Sequence, residues 1–249
     1  MRLLIKFTSG HKTPINHELR KPFISFLKKV FEKSDENYFN ELFNSKKAKP
    51  YCFSPYFGKD FAEKYIGKNI SLIFSTGNPD ILIHFWNGIL ALKEDNSDYL
   101  SINGIKFYLR NLTLLPPKKI NSTKAIFRTI GISVLTNPQQ SAKDFENWYI
   151  TPEQDNLDEF NEVLRKRTQE RFLHIKGVNK EINLTFSLLQ KPEKLVEKTI
   201  VPHYGGYIKG FRGTFLLEGD PEILQFLYDF GLGVRTGQGF GLLKLVKEI

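Results

Sequence analysis

The feature that most constrains the fold is a short segment that occurs twice. Residues 77–82 read Gly-Asn-Pro-Asp-Ile-Leu, and residues 219–224 read Gly-Asp-Pro-Glu-Ile-Leu. An apolar run precedes each copy, at 71–74 and 214–217. Such a repeat indicates that the chain contains two copies of one structural unit.

Each copy predicts the start of a helix. Asn78 and Asp220 can accept a hydrogen bond from the free N–H groups of a first helical turn. Pro79 and Pro221 follow them, at the position where a missing N–H costs no hydrogen bond. Helical spacing then predicts one apolar face in each copy, formed by Leu82, Phe85, Trp86, Ile89 and Leu90 in the first and by Ile223, Leu224, Leu227 and Phe230 in the second.

The remaining patterns give both halves the same order of elements. In the first half, helices are predicted at 17–33 and after residue 78, and strands at 2–8, 51–54, 70–75 and 105–115. In the second half, helices are predicted at 157–172 and after residue 220, and strands at 125–135, 182–189, 207–217 and 241–246. Each half reads β-α-β-β-α-β, which predicts an α+β protein with tandem ferredoxin-like domains. The proline pair at 116–117 places the boundary between domains 1–118 and 119–249.

The composition favours a polyanionic partner. Lysine and arginine total 36 against 27 acidic residues, a formal net charge of +9, and such an excess suits nucleic-acid phosphates. The single cysteine, Cys52, cannot build a disulfide framework or a cysteine zinc site. The first ten residues alternate like a strand rather than a signal peptide, and no run of about 18 apolar residues occurs. We therefore expect a cytoplasmic protein with no membrane span, metal site or cofactor.

The last predicted helix runs into a glycine-rich segment at 231–241. Glycine permits positive φ angles and close approach by other backbones. Exposed N–H groups beside an arginine can hold phosphates, although a bent hairpin would give the same pattern. The candidate phosphate-binding residues of this segment are Gly231, Gly233, Arg235, Gly237, Gly239 and Gly241.

The spacing of these glycines resembles the C-terminal motif of the RAMP superfamily. Gly231-x-Gly233 is followed by five residues, then by Gly239-x-Gly241 and a short predicted strand. Other segments resemble parts of the CRISPR repeat-cleaving endoribonucleases of that superfamily: Pro-Ile-Asn-His at 14–17, Lys-Pro-Tyr-Cys-Phe-Ser at 49–54, Gly-Phe-Arg-Gly-Thr-Phe at 210–215 and Leu-Glu-Gly at 217–219. The resemblance implies two ferredoxin-like domains, binding of CRISPR repeat RNA and metal-independent cleavage that releases guide-length RNAs. It leaves open a monomer or a homodimer, and membership of a CRISPR interference complex.

Metal-independent cleavage by a ribose 2′-OH requires proton transfer and stabilisation of the phosphorane charge. Many members of the resembled family carry a histidine just after the second helix, where this chain reads Leu-Phe-Asn-Ser-Lys-Lys at 42–47. Some use a tyrosine in the first helix, where Phe26 stands here, whereas Lys49 matches the family's lysine before the next strand. The catalytic candidates are therefore Lys49, Lys46, Lys47, His17 and Asn44. The alternatives are a lysine loop that only steers RNA and a structural role for His17.

Basic residues elsewhere are candidates for RNA binding. Arg212 and Arg235 flank or lie within the glycine-rich segment. Four more straddle the predicted domain junction: Lys118, Lys119, Lys124 and Arg128. A further cluster on the predicted helix of the second domain is either an RNA contact or a solvated face: Arg165, Lys166, Arg167 and Arg171.

Two other functions stay open from the sequence. The first is a catalytically weak or silent relative that holds repeat RNA, or a structural RAMP subunit, which the absent histidine favours. The second is a pair of general RNA-recognition domains that stack bases on sheet aromatics. Gly239-Phe240-Gly241 is only a faint match to the motif of that second class.

Overall fold

The computed structural model describes residues 1–15, 18–44, 47–189 and 196–249. Two compact units make up the chain: Met1–Pro117 with Gly237–Gly239, and Lys118–Thr236 with Phe240–Ile249. The predicted boundary after residue 118 lies one residue beyond the end of the first unit's main segment. The three residues at the tip of the glycine-rich segment belong to the first unit, which the sequence did not predict.

The first unit contains three α-helices and seven strands among its described residues. The helices are α1 (Lys21–Ser34), α2 (Glu36–Asn44) and α3 (Pro79–Glu94). The strands are β1 (Arg2–Thr8), β2 (Thr13–Pro14), β3 (Cys52–Tyr56), β4 (Tyr65–Ile66), β5 (Asn69–Ser75), β6 (Tyr99–Ile102) and β7 (Ile105–Leu115), and a short 3-10 helix covers Lys59–Glu63.

An antiparallel sheet of order β3-β5-β1-β7-β6 forms the centre of the first unit. Without the β6 edge, this is the 2-3-1-4 order of a ferredoxin-like fold. In β1 the residues Leu3, Ile5 and Phe7 are buried, because alternate side chains of a strand point to the same face of the sheet. They pack into one apolar core with the inner faces of α1 and α3.

The second unit contains three α-helices and five strands among its described residues. The helices are α4 (Phe145–Trp148), α5 (Leu157–Lys176) and α6 (Pro221–Phe230). The strands are β8 (Lys124–Thr129), β9 (Leu184–Leu188), β10 (Val196–His203), β11 (Gly206–Gly219) and β12 (Leu243–Glu248). A second short 3-10 helix, Thr236–Gln238, lies in the glycine-rich segment.

The second sheet has the same topology as the first. Its order is β9-β11-β8-β12, and every pair is antiparallel. The strand β11 has fourteen residues; its last part pairs with β8 and β9, and its first part forms a hairpin with β10. The predicted tandem ferredoxin-like fold is confirmed, with the β10–β11 hairpin as an addition that the sequence did not predict.

The two predicted helix starts differ in their chemistry. The Asn78 side chain accepts a hydrogen bond from the Asp80 N–H at 2.9 Å, as a capping residue does. The Asp220 carboxylate caps no N–H and instead pairs with Lys180 at 3.1 Å. Pro79 and Pro221 both occupy the first helical turn, as predicted.

Two other details of the sequence prediction were wrong. On α3, Trp86 and Leu90 are exposed, whereas Ile81 and Leu92 are buried. The apolar side chains of α3 lie on most sides of the helix, so their spacing alone does not show which side is buried. The strand predicted at 125–135 ends at Thr129, because the positive φ angle of Gly131 (85°) interrupts the extended backbone.

None of the helices in the described part of the chain combines the length and apolar character that crossing a bilayer requires.

Candidate active site

Lys49 lies on the short connection between α2 and β3. Its Nζ donates a hydrogen bond of 2.6 Å to the carbonyl oxygen of Leu42, near the C-terminal end of α2. Carbonyls at this end of a helix lack intrahelical partners and carry partial negative charge, so a lysine ammonium is stabilised there. Lys49 therefore has a fixed position, unlike a solvated lysine on a loop.

A second lysine lies close to Lys49. The Nζ atoms of Lys28 and Lys49 lie 5.5 and 5.7 Å from the centroid of the Phe43 ring. Burial lowers the pKa of Lys49 from its ordinary value, and the charge of Lys28 lowers it further. Both effects disfavour the charged form of the amine, so Lys49 gives up its proton more readily than an exposed lysine does.

The tip of the glycine-rich segment packs directly on Lys49. A Cβ atom at Gly237 would lie 2.7 Å from Cγ and 2.9 Å from Cβ of Lys49, which is closer than carbon atoms approach. At Gly239 it would lie 2.9 Å from the Phe53 ring. Glycine at these two positions lets the backbone of the tip reach the lysine stem and the start of β3.

Arg20 holds the other side of the same tip. Its Nε donates a hydrogen bond of 3.1 Å to the carbonyl oxygen of Gly239. Burial lowers the pKa of Arg20 to about 10, so its guanidinium still carries a charge at neutral pH. The sequence prediction did not include Arg20. Its place directly before α1, three residues after the family-like segment at 14–17, was the only signal.

Asn44 and Lys47, the other described catalytic candidates, are less constrained than Lys49. The Asn44 side chain is exposed and donates a 3.2 Å hydrogen bond to Asn40 within α2. Lys47 is exposed. Phe26 is buried, and its ring packs edge-on against Phe7 with 5.1 Å between centroids. His17 and Lys46 lie outside the described residues.

The glycine-rich segment is more buried than the sequence predicted. Gly231, Gly233, Gly239 and Gly241 are all buried. The Gly231 N–H donates to Leu227, and the Gly241 N–H donates to Ile132, each at 2.9 Å. The expectation of exposed N–H groups was therefore wrong for Gly231 and Gly241, because the protein's own carbonyls take these donors.

Arg171 secures the start of this segment. Its guanidinium, only 5% exposed, donates to the carbonyl oxygens of Phe230, Gly231 and Gly233 at 2.7 to 2.9 Å. Arg167 donates to the carbonyl of Thr136 at 2.9 Å. These two arginines of the predicted basic cluster thus bind the protein's own backbone. Helical spacing from Phe160, a core residue, placed Arg171 on the buried face, and the sequence analysis missed this signal.

The predicted RNA-binding cations of the second unit separate into two groups. Lys124 pairs with Glu218 at 3.0 Å and Arg212 with Glu197 at 2.6 Å. Arg128 is exposed on β8 opposite Lys244 of β12, and in the described part of the chain neither forms an ion pair.

Three further predicted cations lie outside the strands. Arg235 is half-buried, has a positive φ of 59°, and its guanidinium lies 5.7 Å from the centroid of the Trp148 indole. Lys118 and Lys119 are exposed. Within the described ranges, no three His, Cys, Asp or Glu side chains are grouped so that they share a metal ion.

Comparison with known proteins places the fold in a family. Residues 115–245 match the family described as CRISPR associated protein Cas6, C-terminal. The chain belongs to the Cas6 family. A CRISPR-associated endoribonuclease Cas6 of Methanocaldococcus jannaschii is 23% identical to this family member over all of the chain and 94% of its own length. A CRISPR-associated endoribonuclease-like Cas6 protein of Pyrococcus furiosus is 27% identical, over 74% of the chain and 71% of its own length.

Solved structures agree with the fold of this Cas6 family member. The product of a Cas6-related gene from Pyrococcus furiosus superposes with a TM-score of 0.79 at 22% identity, covering 100% of the chain and 99% of that structure. A structure described as a RAMP protein that binds different RNA substrates gives a TM-score of 0.79 at 21% identity, covering 99% and 100%. The RAMP-type tandem fold predicted from the sequence is thereby confirmed.

Proposed function

We propose that this Cas6 family member binds the repeat of a CRISPR transcript and cleaves it without a metal ion. The relatives named as CRISPR-associated endoribonucleases support the activity. The observation that carries the proposal for this chain is the position of Lys49, fixed between the end of α2 and the tip of the glycine-rich segment.

The proposed reaction is an internal transfer at one phosphate. The ribose 2′-oxygen forms a bond to the adjacent phosphorus while the bond from phosphorus to the 5′-oxygen breaks. The products are a 2′,3′-cyclic phosphate and a 5′-hydroxyl, so the proton lost by the 2′-hydroxyl is balanced by a proton gained by the 5′-oxygen. The protein must supply proton transfer and positive charge near the phosphorane.

We assign protonation of the departing 5′-oxygen to Lys49. As an ammonium it stabilises the negative charge of the phosphorane and donates a proton to the 5′-oxygen. Because burial and Lys28 lower its pKa, Lys49 is a stronger acid than an exposed lysine. Lys28 and Arg20 add positive charge around the same place. For proton removal from the 2′-hydroxyl, His17, Lys46 and Lys47 stay as candidates.

For repeat binding, we propose the exposed cations of the second unit. Arg128 and Lys244, which form no ion pair with any described residue, lie opposite each other on one sheet, and Lys118 and Lys119 lie in the same unit. Phosphate contacts of this kind position the RNA, while bases give the sequence preference. We also include Arg235 and Gly237 of the glycine-rich segment among the proposed RNA-binding residues.

Single-turnover cleavage of the host's repeat RNA with saturating protein tests the proposal. We expect the wild type to cleave equally with and without EDTA, and Lys49→Ala to lower the rate by roughly 100-fold or more while affinity changes little. Lys93→Ala is the matched control, because it removes an exposed lysine of the same unit that is not a catalytic candidate. A rate that Lys49→Ala leaves unchanged would contradict the assignment of Lys49.

A second function is favoured by one observation. Asn44 lies where many family members have a histidine, and its amide cannot act as a general base at neutral pH. A protein that binds repeat RNA tightly but does not cleave it would be a binding member of the family. The same assay separates the two functions, because binding and cleavage are measured on one RNA.

A further inference from the structure

A pair of tyrosines, one half-buried and one exposed, lies at the β6 edge of the first sheet. Tyr99 of β6 faces Tyr108 of β7 across the strands, with 5.7 Å between ring centroids. Leu100 and Phe107, the neighbours of these tyrosines along the strands, are buried in the core. The tyrosines therefore lie on the outer face of the sheet, where Tyr108 is 45% exposed.

Two lysines converge on the same aromatic residue. The Nζ atoms of Lys106 and Lys29 lie 4.3 and 4.9 Å from the centroid of the Tyr99 ring. Lys29 is fixed further by a 2.8 Å hydrogen bond to the carbonyl oxygen of Ser97. In the described parts of the chain, neither lysine has an acidic partner. The Tyr99 ring therefore contacts two ammonium groups that have no acidic partner among the described residues.

A groove continues from this edge toward the start of α1. Its volume is about 480 Å³, and Lys21, Ser25, Phe26, Lys29 and Tyr99 contribute to its walls. Among the described residues of the lining, Glu18 is the one acidic side chain, against Lys21 and Lys29. A space of this size with a net positive lining suits an anionic ligand of nucleotide size.

We infer that this edge binds an unpaired stretch of RNA, with a base on the exposed ring of Tyr108 and phosphates on Lys106 and Lys29. The inference rests on the proposed function and adds to it a subsite for single-stranded nucleotides outside the cleavage site. An exposed aromatic ring beside cations binds single strands, because the ring stacks with any base while the cations follow the backbone. A folded duplex would not offer free bases to Tyr108, so the occupant is unpaired RNA.

Binding measurements with two RNAs test the inference. One RNA is the intact repeat, and the other is the same repeat trimmed of its unpaired flanking nucleotides. We expect Lys106→Ala and Tyr108→Ala each to weaken binding of the intact repeat roughly tenfold and to leave binding of the trimmed repeat unchanged. Tyr108→Phe keeps the ring and should bind like the wild type. Lys93→Ala, an exposed lysine on α3, is the control for loss of charge.

A second measurement does not depend on how the variants fold. The intact repeat is prepared with 5-iodouridine at each unpaired position, irradiated with the wild-type protein and mapped by mass spectrometry. Cross-links at residues 99–108 support the inference. Cross-links confined to other segments, or equal effects of the variants on both RNAs, overturn it. If the wild type binds neither RNA, the proposed function fails together with this inference. If the wild type binds both RNAs but the result overturns the role of residues 99–108, only this inference fails.

Discussion

The guanidinium of Arg171 donates a hydrogen bond to the carbonyl oxygen of Gly233, with 2.9 Å between Nη1 and the oxygen. The same nitrogen donates to Gly231 at 2.7 Å. Arg171 of α5 thereby donates hydrogen bonds to carbonyl groups of the glycine-rich segment, which lies outside the strands at these residues. This links the shape of the segment to a residue 60 positions away in the sequence.

Replacing Arg171 with methionine should destabilise the second unit. The substitution keeps an unbranched apolar stem but leaves several buried carbonyls without a donor, which costs roughly 2–4 kcal/mol of unfolding free energy. Urea denaturation measures the loss, and hydrogen exchange of residues 231–241 should become faster. Lys166→Met, at an exposed neighbouring position of α5, should change the unfolding free energy by less than about 0.5 kcal/mol. Equal effects of the two variants would show that the Arg171 contacts contribute little.

The pH dependence of cleavage should report the ionisation of Lys49. The ammonium is the active form, and its pKa lies below the ordinary value of 10.5 because of burial and Lys28. The rate should therefore fall as the pH rises through this lowered pKa, where an exposed lysine would still be charged. Lys49→Arg keeps its charge at all these pH values, so any cleavage it retains should lack the alkaline fall. An identical alkaline limb in Lys49→Arg would assign the limb to another group.

Gly237→Ala should lower cleavage without abolishing RNA binding. The added methyl group would collide with the stem of Lys49, so the lysine or the segment must move. Displacement of a catalytic group by about 1 Å costs on the order of 100-fold in rate. Gly10→Ala is the control, because nothing lies within 4 Å of its added Cβ. If Gly237→Ala cleaves at the wild-type rate under single-turnover conditions, the close contact with Lys49 is not needed for catalysis.

The exposed cations Arg128 and Lys244 should contribute to the salt dependence of repeat binding. Each phosphate contact releases condensed counterions, so Arg128→Ala and Lys244→Ala should each reduce the slope of log affinity against log salt by about 1. Filter binding across a series of salt concentrations measures the slope. Lys143→Ala removes an exposed charge elsewhere in the same unit and should leave the slope unchanged. Slopes that match the wild type in both sheet variants would exclude this surface from the RNA interface.

The sequence was informative where structure follows from neighbouring residues. Alternation in β1 and the Asn78-Pro79 helix start are local features, and both appear in the fold as predicted. The strand at 207–217 was predicted, but its hairpin partner β10 was missed because most β10 side chains are half-buried or exposed and lack a clear alternating pattern. The buried face of α3 was misassigned because that helix is apolar on several sides, and only packing against α1 decides which side faces the core.

For the candidate site, Lys49, the glycine-rich segment and the excess of basic residues could all be identified in the sequence. The contacts that each of them makes became known from the folded structure. Arg171 binds buried backbone carbonyls, Arg212 forms a solvent-exposed ion pair with Glu197, and Arg128 is exposed without an ion pair to any described residue. A side chain's charge is fixed by its own chemistry, but its burial and partners are set by residues distant in the sequence. Those contacts exist only after the unit that contains them has folded.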